Sequence, residues 1–296
     1  MIRYSTCPVC SSTKIGFSNS INDYSVTQEQ FEVWTCSDCS FVFTQNVPDA
    51  SSIGKYYASA DYISHTEIKT GLINRLYHYV RSYTLKRKRK LIQKEAGIYK
   101  GFVLDVGCGT GAFLSEMQNA GWKITGIEPD SKARENALKR YDIHSLPNES
   151  FFELHEESFD VITMWHVLEH VHKLHEYVSK LKRLLKPRGV LLIAVPNYTS
   201  YDAARYKHYW AAYDVPRHLY HFSPQSMRHL MNIHQLNIRR VKPMWFDSFY
   251  VSMLSEKYKR GNMFSAFFTG FISNCNALFN KQRCSSLIYI IEKQPT

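Results

Sequence analysis

The chain has 296 residues, 44% of them hydrophobic, with a formal net charge of +11, which is room for one large domain with an ordinary core and a smaller unit beside it. No N-terminal stretch has the basic start and apolar run of a signal peptide, and no run of about 18 apolar residues suggests a membrane span, so a cytoplasmic location is expected. Seven cysteines, an odd count without such a signal, argue against a disulfide framework.

Residues 1–46 read as a compact unit with two cysteine pairs, "CPVC" (Cys7, Cys10) and "CSDC" (Cys36, Cys39). "FEVWTC" and "SFVFTQ" alternate like short strands on either side of the second pair. The 25 residues between the pairs exceed the commonest spacing of ~15–20 but leave room for a hairpin. Four thiolates from two turns fill a tetrahedral site with no open position, so a structural zinc is expected on Cys7, Cys10, Cys36 and Cys39.

Residues 47–100 read as a connector and a basic helix. "NVPDASS" is turn-rich and "KYYASADYISH" is aromatic and polar. Leu72, Leu76, Tyr79, Val80 and Tyr83 then recur at helical spacing, which predicts a helix over 72–96. Residues 71–100 hold nine Lys or Arg against one acid, Glu95. Such a field suits phosphates, nucleic acid or anionic lipid heads. A solvated helix face is the better reading of it, and no aromatic residues interleave with the charges of 86–90.

From residue 101 strands and helices alternate. "FVLDV" (102–106), "KITGI" (123–127), "SFDVITMW" (158–165) and "VLLIAVP" (190–196) read as strands. Between them lie the helices "AFLSEMQNA", a segment capped by Ser131 and running to about Tyr141, and "LHEYVSKLKRLL", which "KPRG" ends. This rhythm predicts an α/β, Rossmann-like parallel sheet covered on both faces. After Asn197 the pattern turns aromatic and irregular over about 198–225, as suits a substrate lid. "PQSMRHLMNI" is then a helix, "NIRRVKPMWF" a strand, 249–280 an apolar helical insertion and "SLIYIIEK" (286–293) a closing strand.

The loop of "VLDVGCGTGAFL" follows the first of these strands, where a parallel sheet binds ligands. Gly107, Gly109 and Ala112 also fit a nicotinamide dinucleotide fingerprint. Glycine, however, recurs at every second position (Gly107, Gly109, Gly111), and Asp105 sits in the approach to the loop. An acid there suits the cationic amino group of S-adenosylmethionine and would repel a pyrophosphate. Glu128, 21 residues beyond Gly107, ends the next strand and can accept both ribose hydroxyls.

"VLDVGCGTGAFL", "GWKITGIEPDSKARENA", "SFDVITMWHVLEHV" and "LLKPRGVLLIAVPN" resemble, in order and spacing, the class I S-adenosylmethionine-dependent methyltransferases, in their ubiquinone-biosynthesis-like branch. The resemblance covers about 100–245. It implies a seven-stranded, mostly parallel sheet in a domain over 101–296, with the last strand antiparallel. The cofactor's methionine part would lie on the loop of Asp105, Gly107, Cys108, Gly109 and Gly111, and its ribose at Glu128 and Pro129. The acid that many relatives place after the third strand has no clear counterpart, which leaves Ser150 and Phe151 for the adenine edge. The "CSDCSFVFTQNVP" block is similar to zinc-binding segments that precede some sugar C-methyltransferases.

"HVLEH" (166–170) also fits the H-x-x-E-H pattern of inverted zinc peptidases, but it starts at a strand end rather than within a long helix. His166 is expected at the methyl-transfer pocket, near the cofactor, and His170 in a structural role. "DVPRHLYHF" gathers Asp214, Arg217, His218 and His221 in the lid. Candidates for the base are therefore His166, His218 and His221, with Asp214 or Tyr213 behind them. The acceptor is expected to be a small molecule, a sugar or a lipid-linked glycan, methylated on oxygen or carbon. The alternatives are a nicotinamide-dependent oxidoreductase and a non-catalytic, zinc-containing nucleic-acid binder; no nucleic acid is expected. Phe264, Phe267, Phe268, Phe271 and Ile272 would share one helical stripe, with core or lid packing expected first and a peripheral membrane contact second.

Overall fold

The computed structural model describes residues 1–57 and 72–294, so most of the connector "KYYASADYISH" lies outside the described residues. In chain order the elements are β1 (Ile15–Asn22), β2 (Gln30–Cys36), β3 (Val42–Thr44), α1 (Leu72–Ala96), β4 (Phe102–Val106), α2 (Ala112–Asn119), β5 (Lys123–Ile127), α3 (Ser131–Tyr141), β6 (Phe159–Trp165), α4 (Leu174–Leu184), β7 (Leu185–Pro196), α5 (Tyr201–Tyr206), β8 (Tyr220–His221), α6 (Pro224–Ile233), β9 (Leu236–Pro243), α7 (Asp247–Lys259), α8 (Met263–Phe279) and β10 (Ser286–Lys293). The larger sheet has the strand order β5-β4-β6-β7-β10-β9 and the smaller one β1-β2-β3-β8. The chain forms two compact units, one of residues 64–165, 178–193 and 290–296, the other of 1–63, 166–177 and 194–289.

In the first unit β4 pairs in parallel with β5 and β6, and the register sets Asp105 opposite Gly126 on one side and Thr163 on the other. The larger sheet has six strands where seven were expected. The seventh is reduced to a parallel bridge between Leu146 and Ile127. Leu146 N donates to Gly126 O at 2.8 Å and Glu128 N donates to Leu146 O at 2.9 Å. Pro147 follows and has no N–H to continue the ladder. Two local expectations also change. The cap of α3 is Asp130, whose carboxylate accepts from Lys132 N and Ala133 N, with Ser131 as the first helical residue. β7 begins at Leu185, five residues before the expected strand, so "KPRG" is itself part of it. Gly189 serves close approach there, because a Cβ would meet Leu185 at 2.7 Å and Phe159 O at 3.0 Å.

Helix α1 bears out the predicted span. Of its basic run, Lys86, Arg87 and Lys90 are exposed. Lys88 lies 4.0 Å over the Trp165 ring, and Arg89 Nε is 2.7 Å from Glu116. Two of the five cations therefore serve the fold.

In the second unit β1 and β2 form an antiparallel hairpin, β2 pairs with β3, and β3 pairs with β8 (Val42 opposite His221, Phe43 opposite Tyr220). The cysteine-bearing sheet thus takes its fourth strand from the region after Asn197. Buried Arg217 bridges Asp23 at 2.9 Å and Asp214 at 2.7 Å and donates to Tyr56 O. Removing one partner from such a pair strands a buried charge, at a cost of about 3–5 kcal/mol. The apolar insertion is a hairpin of α7 and α8.

Candidate functional site

The glycine loop starts from β4. Gly107 N and Cys108 N donate to Ile127 O at 2.7 and 3.0 Å, which ties the loop to β5. Gly107, Gly109 and Gly111 all have positive φ (75°, 54°, 78°), a conformation that costs other residues strain. Gly111 is also pinned, since a Cβ there would lie 3.0 Å from the Ala137 Cβ. A Cβ on Gly109 would meet nothing within 4 Å, so this stretch of backbone borders open space that a ligand can use.

Glu128 is nearly enclosed. Its carboxylate accepts from Gly109 N at 2.8 Å and Asp130 N at 3.0 Å, one bond on each oxygen. Each oxygen keeps a lone pair, which is what two neighbouring hydroxyls require. Arg134 donates to the carbonyls of Glu128 and Pro129, both at 2.7 Å, and fixes the turn. Asp105 is buried and accepts from Thr163 Oγ1 at 2.6 Å. Burial pushes its carboxyl up to about 7; the Thr163 hydrogen bond and the Lys88 charge pull against that, and Glu128 adds to it. Burial likewise drives the Cys108 thiol up to about 12, so Cys108 is neutral packing in the loop. Ser150 and Phe151 lie on a single 3-10 turn after the Leu146 bridge. The Phe151 side chain is wholly enclosed and packs edge-on against Phe152 at 5.1 Å between ring centroids.

Trp165, which no sequence argument singled out, ends β6. Its ring meets Phe113 at 5.7 Å between centroids, and its Nε1 is buried without a hydrogen-bond partner. Thr163 and Lys88 were missed too. Only the strand register could have shown Thr163, because it lies 58 positions from Asp105 in the chain.

The second unit gathers the predicted histidines with acids that sequence reasoning passed over. His166, at φ 58°, directs Nε2 to Asp247 at 2.9 Å and Nδ1 to Glu169 at 3.4 Å. Burial opposes charge on this ring, but the bonds to Asp247 and Glu169 outweigh it and raise His166 to about 10. Two carboxylates beside the ring favour its protonated form, which weighs against His166 as a base. Burial drives His170 down to about 4 and His221 to about 3, so both are neutral. His170 Nδ1 lies 3.0 Å from Arg217 O and from the Tyr57 hydroxyl. His221 sits in β8 with Nε2 3.1 Å from Thr44 Oγ1, a position that knits the small sheet. Asp214 is held below the usual carboxylate range by Arg217 in spite of its burial, which makes it a weak base. His218 Nδ1 is 2.9 Å from Ala212 O, so Nδ1 carries a hydrogen, and Nε2 lies 3.9 Å from Asp214 Oδ2.

Glu169 is wholly buried, and beyond the 3.4 Å ion pair of Oε1 with His166 neither carboxylate oxygen has a hydrogen-bond partner. It offers an oxygen, and His170 and His218 a ring nitrogen each, within 4.8 Å of one another. An oxygen with two imidazoles fits a divalent cation as a donor set.

The four cysteines of the N-terminal unit converge. Cys7 and Cys39 sulfurs are 3.5 Å apart, Cys10 and Cys36 sulfurs 3.6 Å, and all four lie within 4.8 Å of one another as free thiols. A tetrahedron with Zn–S bonds of about 2.3 Å has edges of about 3.8 Å, so the donors fit that ion. Burial pushes the Cys7 thiol up to about 11.

Comparison with known proteins agrees with this architecture. The methyltransferase domain family matches residues 77–241, more than half of the chain. A ubiquinone biosynthesis O-methyltransferase of Actinobacillus pleuropneumoniae is 39% identical over 118 residues, covering 36% of this chain and 50% of the relative, so the chain spans about half the length of that curated relative. Two solved structures share the fold. One is a SAM-dependent methyltransferase from Archaeoglobus fulgidus (18% identity, TM-score 0.50, 72% of this chain and 94% of that one). The other is phosphoethanolamine N-methyltransferase 2 of Haemonchus contortus, solved with S-adenosyl-L-methionine (16% identity, TM-score 0.50, 71% and 53%). With the glycine loop, the carboxylate ending β5 and the sheet order all in place, the chain belongs to the methyltransferase domain family, in the class I S-adenosylmethionine-dependent group.

Proposed function

We propose that this protein transfers a methyl group from S-adenosylmethionine to an oxygen or carbon of a small-molecule, sugar or lipid-linked acceptor. The observation that carries the reading is the pair of carboxylates at the glycine loop, with Glu128 bonded to the loop backbone and Asp105 buried in its approach. Bound there, S-adenosylmethionine supplies a sulfonium methyl group open to in-line attack. The residues of the chain do the rest. Glu128 takes the ribose hydroxyls and Asp105 the ammonium, with the bare backbone of Gly109 alongside. Ser150 is the candidate for the adenine edge. His218 Nε2 takes the proton of the acceptor, and His166 lends fixed positive charge. Most of the rate then comes from orientation. The name of the Actinobacillus relative, an O-methyltransferase, supports an oxygen acceptor. The four cysteines hold a structural zinc. A nicotinamide cofactor is disfavoured, because its pyrophosphate would meet Asp105.

Calorimetry tests the cofactor. Wild type binds S-adenosylmethionine or S-adenosylhomocysteine, and Glu128→Ala weakens binding by about 1.5–3 kcal/mol, the range for hydrogen bonds to a charged group. Binding of NADH with neither of these ligands overturns the reading.

The same titration should depend on pH. A carboxyl raised to about 7 is largely protonated at pH 6, and only its ionised form holds an ammonium. Affinity therefore falls as pH drops through 7, by about ten-fold between pH 8 and 6, with a proton released on binding at the lower pH. The same raised pKa means that ionising Asp105 destabilises the free fold above its unfolded value of about 3.9, a cost the bound ammonium offsets. In Asp105→Asn the pH dependence should flatten and overall binding weaken. An equally steep profile in that variant assigns the proton to another group.

A further inference from the structure

Helix α8 is turned inside out. Its small residues Ala266, Thr269, Gly270, Ser273 and Ala277 face the protein. Its large ones face solvent, with Phe264 89%, Phe267 65%, Phe268 64% and Phe271 52% exposed. An amphipathic helix of a soluble protein does the reverse. The expectation that this stripe packs in a core is thus corrected.

The rotation of the helix is held by specific contacts. A Cβ on Gly270 would lie 3.0 Å from Phe249 Cα and 3.1 Å from Ser248 O, so only glycine lets the two helices approach so closely. Ser273 Oγ donates to buried Asp202 at 2.7 Å, and Ser248 Oγ donates to Asn274 Oδ1 at 2.9 Å. Turning the phenylalanines inward would break these bonds and leave Asp202 short of a donor. Helix α7 with its capping residue Phe246 adds an outward stripe of its own, Phe246, Tyr250 and Met253, each exposed by more than two fifths.

Charge decides what covers this surface. Residues 257–283 contain five cations, Lys257, Lys259, Arg260, Lys281 and Arg283, and no acid. All five are exposed, three before α8 and two after it. A second copy would bring two such segments together with nothing in either to offset the repulsion. An anionic bilayer offers apolar depth for the rings and negative headgroups for both ends. Among the described residues no helix is long and apolar enough to cross a membrane, so α8 would lie in the plane of the surface.

We infer that the α7–α8 hairpin is a docking surface for anionic lipid bilayers, with the Phe264–Phe271 stripe entering the headgroup boundary and the flanking cations holding acidic headgroups. The test is co-sedimentation of the full chain with vesicles of phosphatidylcholine, alone or mixed equally with phosphatidylglycerol. Wild type should pellet with the mixed vesicles, less so at high salt. Phe268→Ser with Phe271→Ser should abolish this, and Lys259→Ala with Arg260→Ala should weaken it roughly five-fold per cation removed. Unchanged thermal unfolding and S-adenosylhomocysteine binding show that the variants are folded; Phe264→Glu, at the most exposed ring of the Phe264–Phe271 stripe, is the second probe should the double change disturb packing. Three results overturn the inference: no binding to the mixed vesicles, equal binding by wild type and both phenylalanine variants, or a wild-type dimer in light scattering that Phe264→Glu splits.

Discussion

Replacing His218 by alanine is expected to lower turnover by about 10²–10⁴ while S-adenosylmethionine affinity stays within a few-fold, the usual contribution of a general base. The choice of His218 rests on proton inventory. His166 already holds its proton between Asp247 and Glu169. His221 is spent on Thr44 and His170 on Arg217 O and Tyr57. Asp214 is committed to Arg217. His218 has Nδ1 anchored on the Ala212 carbonyl, and its Nε2 lies 3.9 Å from Asp214 Oδ2. Release of S-adenosylhomocysteine, measured with whichever of a set of phenolic and sugar acceptors gives the highest wild-type rate, is the readout. Asp247→Asn is the control for His166: it removes the stronger carboxylate contact, lowers the pKa of the ring from about 10 and should introduce a new inflection in the pH–rate profile. Wild-type turnover by His218→Ala would remove it from the mechanism.

The second large effect is expected at the cysteines. Cys36→Ser should take bound zinc from one per chain towards zero, since a three-sulfur site loses much of a binding energy that runs to ~10–16 kcal/mol for structural zinc in small peptides. The loss should not stay within residues 1–46. Thr44 N donates to Leu219 O at 2.9 Å, Thr44 Oγ1 donates to His218 O at 2.7 Å, and the Tyr198 hydroxyl donates to Ser40 O at 2.9 Å. With β3 unsettled, the backbone that carries His218 loses its support. The expected pattern is zinc lost, S-adenosylhomocysteine binding kept and turnover lost. Full zinc content after the change means that the ligand set is wrong. Zinc loss with unchanged turnover separates the cysteine unit from catalysis.

Much of the fold was legible because it rests on local signals. The glycine loop is recognisable since positive φ selects glycine at Gly107, Gly109 and Gly111 whatever surrounds them. Strands such as β4, β5 and β10 stand where apolar runs put them, and α6 begins where Ser223 caps a proline-led turn. The paired cysteines were legible because each pair sets two sulfurs close together in the chain, and all four converge in the fold. What failed locally failed by one or two positions of hydrogen bonding. Asp130 outcompetes Ser131 as a cap, and the seventh strand shrinks to the bridge at Leu146.

By itself the sequence determined the α/β rhythm, the loop, the carboxylates Asp105 and Glu128 and the four cysteines, all features encoded in spacing along the chain. The tertiary structure alone decided the surroundings of the histidines, because the charge an imidazole favours depends on which groups reach it. Asp247 lies 81 positions beyond His166. Likewise, spacing placed the phenylalanines of α8 on one stripe but could not say which way the stripe faces. That was decided by the close approach at Gly270 and the bond from Ser273 to Asp202, contacts made only once the chain has folded.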